Sequence, residues 1–181
     1  MKNKKNFDKL IDKIKQKIKK YLTKSRLPIY KTTKILKKYI GEETGRGWCA
    51  PSAVRYLDDL ERLEYELAVV DGKLYTKNGK LFDTSLARTA FSENNAIFVM
   101  SKDGRIYASL QHSVGEFHHS SFLAGEAVAS AGELKVIKGV INEVTRKSGH
   151  YQPSKYFNNQ FIKHLAKEGV DVKNIVIKDG F

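Results

Sequence analysis

Apolar residues recur at steps of three and four near the start of the chain: Phe7, Leu10, Ile11, Ile14, Ile18, Tyr21 and Leu22, with lysine in most places between. This spacing gathers them on one stripe, so a basic amphipathic helix is predicted over 7–23. Pro28 interrupts it. Ile29, Ile35, Leu36, Tyr39 and Ile40 then predict a second, shorter basic helix, ahead of a loop bounded by Gly41 and Gly47. Pro51 suits a first helical turn, and Val54, Leu57, Leu60 and Leu63 follow at threes, which predicts a helix from about Pro51 to Leu67.

The period then changes to two. Residues 66–83 alternate around Asp71-Gly72 and Asn78-Gly79, and both dipeptides are hairpin turns. Ala96–Ser101 and Arg105–Ser109 flank Lys102-Asp103-Gly104 as a further hairpin, and Glu133–Ile137 and Val140–Thr145 flank Lys138-Gly139 as another. Tyr156–Lys167 reads as an amphipathic helix stopped by Gly169, and Val172–Ile177 as a closing strand. The expected class is α+β, mainly antiparallel sheet with flanking helices, plus the basic N-terminal segment. Residues 1–40 are expected to be that segment and 41–181 a single domain.

The net charge of +13 changes the picture because it is uneven. Residues 1–40 carry 15 Lys or Arg against 2 Asp, and the remainder carries 18 basic and 18 acidic residues. A partner drawn by charge therefore meets the N-terminal segment first, and sequence-specific nucleic-acid binding by the whole chain is not implied. The single cysteine, Cys49, forms no internal disulfide, which fits a cytoplasmic site of action. No apolar run approaches a membrane span, and no cleaved secretory signal is visible; delivery into another cell by a route needing neither stays open.

Candidate chemistry concentrates in 117–151, where His118, His119, Ser120, Ser121 and His150-Tyr151 crowd together. On a strand, His118 and His119 point to opposite faces, each with a serine two places on, the pairing of a base beside a hydroxyl. Glu116, Glu126 and Glu133 are the candidate acids to orient an imidazole, but no Gly-x-Ser-x-Gly elbow occurs. A hydrogen-bonded core histidine is the plainer alternative. His150-Tyr151, fixed by Pro153, reads either as an acid/base pair or as a packed tyrosine with a capping histidine. The small residues around Gly125 could bring backbone close to a ligand, or simply pack on a sheet. Arg46 and Trp48 could hold a nucleotide by charge and stacking, although a lone Trp is more often a core anchor, and Arg105 is a candidate anion binder. The His and Cys spacings match no zinc pattern, so no metal site is expected.

YLDDLERLEYELAVVDGKLYTKNGKLFDT (56–84), AIFVMSKDGRIYAS (96–109), FHHSSFLAGEAVASAGELKVIKG (117–139) and SGHYQP (148–153) together resemble the conserved domain of the IQ-motif calmodulin-binding proteins of plants and fungi. Order and spacing are kept over about 100 residues. The resemblance implies a domain with no agreed reaction, in a family named for a calmodulin-binding segment outside it. No IQ motif occurs in this sequence, so calmodulin binding does not carry over by motif. The short Lys-rich start, without long flanking regions, reads as a stand-alone bacterial version.

Two functions are expected from different classes. The first is a small cytosolic effector- or toxin-type enzyme, a transferase or hydrolase, acting on a nucleotide-like or phosphorylated substrate. Its catalytic residues would be His118, His119, Ser120, Ser121, His150 and Tyr151, with Arg46, Trp48, Arg105, Gly125 and Glu133 binding substrate. ADP-ribosyl transfer is one concrete chemistry, with NAD as candidate cofactor, although the Arg, Ser-Thr-Ser and Glu-x-Glu elements of arginine-type transferases do not align here. The second is a non-catalytic ligand- or protein-binding module, recruited by its basic helix to a calmodulin-like acidic protein or an anionic membrane.

Overall fold

The computed structural model describes residues 2–89 and 91–180. Met1 of the expected basic segment and Phe181 of the expected domain lie outside them. The chain forms α1 (Lys2–Thr23), β1 (Glu66–Val70), β2 (Lys73–Thr76), β3 (Ala96–Met100), β4 (Ile106–Ser109), α2 (His119–Phe122), β5 (Ser130–Ile137), β6 (Val140–Thr145), α3 (Lys155–Lys167) and β7 (Val176–Lys178). The strands make one seven-stranded sheet in the order β2-β1-β4-β3-β5-β6-β7. Every pairing is antiparallel except β6 with β7. The α+β expectation is met, and each hairpin stands on its own turn dipeptide.

The sheet curls because its far strands meet. Leu74 N–H of β2 donates to Gly139 O in the β5–β6 turn at 2.8 Å, and Gly139 N–H donates to Phe82 O at 2.8 Å. Gly139 has φ +81, and a Cβ there would sit 2.7 Å from Leu81 and 3.0 Å from Leu74 O, so only glycine permits this closure. β3 is buried on both faces, hence its unbroken AIFVM. Phe98 and Met100 face a core that α3 completes with Phe161 and Leu165, while Ile97 and Val99 face a second core with Leu57, Phe122 and Tyr151. α1 lies over β1, where Ile18 packs with Ala68, Val70 and Tyr75.

Two predicted helices are absent. Between residues 29 and 40 the backbone is a strap: Thr33 and Val128 exchange both N–H groups at 2.8 and 3.0 Å, and Leu36 N–H donates to His150 O at 2.8 Å. Only a 3-10 turn at Lys37–Tyr39 remains of the expected helix. A second strap replaces the helix expected over 51–67. Val54, Arg55 and Leu57 donate to Glu42 O, Glu116 O and Ser121 O, at 2.9, 2.7 and 3.0 Å. Asp58 Oδ1 then accepts from the N–H groups of Leu60 and Glu61 and starts only a 3-10 turn, Glu61–Glu64. In both places hydrogen bonds to distant backbone outcompete the local helical ones.

Candidate functional site

The histidine block is a short helix, not a strand. Phe117 and Ser113 exchange N–H groups across a tight loop, and the chain then turns through His118 into α2. Ser121 Oγ accepts the His118 N–H at 3.0 Å, which fixes this turn. The alternation that would separate His118 from His119 therefore does not apply: both rings line one cavity of about 160 Å³, together with His112 and His150. Four of the five histidines thus share one wall system, with Cys49, Glu133 and Lys147 among them.

The orienting acid is Glu42, which none of the candidate acids anticipated. It is fully buried on the 3-10 turn Glu42–Thr44. Oε2 accepts from His150 Nε2 at 2.8 Å, and Oε1 accepts from Ser120 Oγ at 2.6 Å and Tyr56 OH at 3.2 Å. Burial opposes its charge, but the hydrogen bonds from His150 and Ser120 outweigh that and hold its carboxyl below the usual range. The same arrangement explains Gly125, where a Cβ would come within 2.8 Å of the Tyr56 hydroxyl.

Tautomers follow from the partners. Gly115 N–H donates to His118 Nε2 at 2.9 Å, so this nitrogen is bare and Nδ1 carries the proton. His118 Nδ1 then donates to His112 Nε2 at 2.8 Å. His119 Nε2 lies 2.9 Å from Gly132 O, which only accepts, so Nε2 is protonated and Nδ1 is a bare acceptor. Burial first, then the neighbouring imidazoles, pushes the His118 pKa down to about 4. His119 falls to about 3, again chiefly through burial, against the pull of Gly132 O. His112 is lowered by burial as well. These three rings are neutral at pH 7. The His150 ring stacks on Tyr39 at 4.0 Å and leans on His118 at 4.5 Å.

Other expected site residues fall in three places. Trp48 and Glu133 line the cavity, Trp48 as a rim residue 70% exposed rather than a core anchor. Ser120 and Ser121 point away from it into the Glu42 and His118 bonds, and Tyr151 donates to Glu126 O at 2.8 Å from within the second core, so it does not join His150. Arg46 is exposed and donates to Thr44 Oγ1, away from any anion site. Arg105 is removed altogether, because it pairs with Glu66 at 2.8 Å and Asp103 at 3.1 Å and donates to Leu22 O at the end of α1. Sequence reasoning missed Glu42 and Lys147, and it left His112 and Cys49 out of the expected site. His112 alone carried a local signal, its closeness to His118 in the chain.

Comparison with known proteins agrees with this picture of a domain. Residues 61–157 match the profile of the family described as IQ motif-containing protein middle domain. The chain is 38% identical over 137 residues to IQ domain-containing protein IQM3 of Arabidopsis thaliana, covering 75% of this chain and 29% of that protein. It is 39% identical over 123 residues to IQ domain-containing protein IQM2 of the same plant, covering 67% and 20%. The chain thus spans less than a third of the length of these curated relatives. No solved structure gives a significant match. The expected toxin- or effector-type enzyme, with its transferase and nucleotide-binding character, is overturned by these relatives, which are IQ domain-containing plant proteins. By its central 97-residue match and by identity above 30% over two thirds of its length, the chain belongs to the IQ motif-containing protein family, through that family's middle domain.

Proposed function

We propose that the chain is a non-catalytic binding module that meets a calmodulin-type acidic protein through α1. One observation carries this reading: the apolar stripe of α1 outruns the surface it covers. Ile18 is buried against β1, yet Phe7 and Leu10, on the same stripe, are 61% and 55% exposed. Lys4, Lys9, Lys13 and Lys15 stand exposed around them. An apolar ridge flanked by ammonium groups is what an acidic, apolar-lined groove accepts. The hydroxyls of the histidine block fit a module of this kind, since Ser120, Ser121 and Tyr151 are committed to internal hydrogen bonds. The meeting takes place in a cytoplasmic compartment. The membrane and nucleotide readings draw no support from the relatives.

Titration calorimetry with calcium-loaded calmodulin tests the proposal. The expected result is saturable binding that the double variant Phe7→Glu, Leu10→Glu weakens at least tenfold while the unfolding midpoint stays unchanged. Absence of binding, or undiminished binding by the double variant, overturns it.

A further inference from the structure

The uncommitted polar groups of the histidine cavity are mostly acceptors, His112 apart, whose Nε2 accepts from His118 and whose buried Nδ1 therefore keeps a proton without a partner. His118 has both nitrogens committed, Nε2 to Gly115 N–H and Nδ1 to His112. His119 Nδ1 is a bare acceptor, because its Nε2 proton is held by Gly132 O. His150 gives its Nε2 proton to Glu42. Glu133, the residue after Gly132, is 2% exposed and takes only two neutral donors, Thr89 Oγ1 at 3.3 Å and Asn95 Nδ2 at 3.2 Å. It forms no ion pair among the described residues. A buried carboxyl without a cation is costly unless something cationic completes it. Lys147 also lines the cavity, but its ammonium is tied to Phe91 O and Ser92 Oγ, both at 3.1 Å.

Half of the remaining lining is aromatic, the other half being Cys49, Val114 and Gly149. Tyr39, Trp48 and Phe91 contribute rings, and these rings already draw cations: Lys38 Nζ lies 4.9 Å from the Tyr39 centroid and 4.7 Å from that of Trp48, and Lys147 Nζ lies 5.5 Å from that of Phe91. A volume of about 160 Å³ matches a cavity that holds one benzene ring.

We propose that this cavity binds a small aromatic cation of the amidinium or aminopyridinium class, its ring among Tyr39, Trp48 and Phe91 and its N–H groups on Glu133 and His119 Nδ1. The inference rests on the binding-module reading but concerns a different surface. Benzamidine is the probe, with benzoate and benzene as size-matched anionic and neutral controls. Titration calorimetry on the full chain at pH 7 is expected to give one benzamidine per chain, with benzoate and benzene at least tenfold weaker. Glu133→Gln is expected to weaken benzamidine at least tenfold. Because Glu133 is buried, NMR of the unaltered chain supplies a variant-free check, in which benzamidine shifts the Trp48 indole and His119 ring resonances. Equal binding of benzoate, no binding of benzamidine, or shifts confined to other residues overturns the proposal. Failure with benzamidine leaves calmodulin binding through Phe7 and Leu10 untouched, and the reverse also holds, so the two readings fail separately.

Discussion

Glu42 organises more of the site than any histidine does. One carboxyl accepts from His150, Ser120 and Tyr56, which come from three separate parts of the chain. Glu42→Ala leaves three donors without their acceptor in a buried place, and we expect a loss of about 3–5 kcal/mol in chemical denaturation. Glu42→Gln, which keeps an acceptor oxygen, is expected to lose less. Acid acts on the same cluster with a definite sign. The His118 and His119 pKa values are depressed to about 4 and about 3 in the fold, while the unfolded chain titrates near 6.5. The stability is therefore complete above about pH 6.5 and falls as pH drops towards those values. At pH 5 each neutral ring costs about 2 kcal/mol relative to pH 7. Urea unfolding at the two pH values checks this, and a flat profile would count against neutral buried rings. The crowd of His118, His119 and His150 was readable in the sequence, whereas Glu42 was not. It stands 108 residues from His150, and nothing local distinguishes it from Glu43.

Elements whose hydrogen bonds are local were readable, and elements that borrow bonds from afar were not. Asp71-Gly72, Lys102-Asp103-Gly104 and Lys138-Gly139 each close a hairpin with their own turn chemistry, and α3 follows its apolar period. The straps at 29–40 and 54–57 have helical spacing too, but Val128, His150, Glu116 and Ser121 claim their backbones. α2 misled in a different way: four residues carry no detectable period, so adjacent histidines read as strand neighbours. In α1 the stripe is one but its two ends differ in task. Ile18→Ala is expected to cost about 2–4 kcal/mol by emptying the contact with Ala68, Val70 and Tyr75. Leu10→Ala is expected to change stability by less than about 0.5 kcal/mol. Thermal unfolding of the two variants separates the packed end from the free one.

At the scale of the whole molecule, closure of the sheet depends on a few atoms at the β5–β6 turn. Gly139→Ala places a methyl group against Leu81 and Leu74 O at a positive φ, and we expect a loss of about 2 kcal/mol, read as a lower denaturant midpoint. The second whole-molecule feature is the anchoring of α1. Arg105 ties the Leu22 carbonyl to Glu66, a carboxyl 2% exposed, and burial raises the Glu66 pKa despite this guanidinium. Peeling α1 away would strip that cluster of a partner and uncover the apolar surface beneath Ile18. The helix therefore behaves as a fixed outrigger and not as a tether: whatever grips its outer turns is held at one angle to the body, and a torque applied there is delivered to β1 and β4 rather than lost in a swivel.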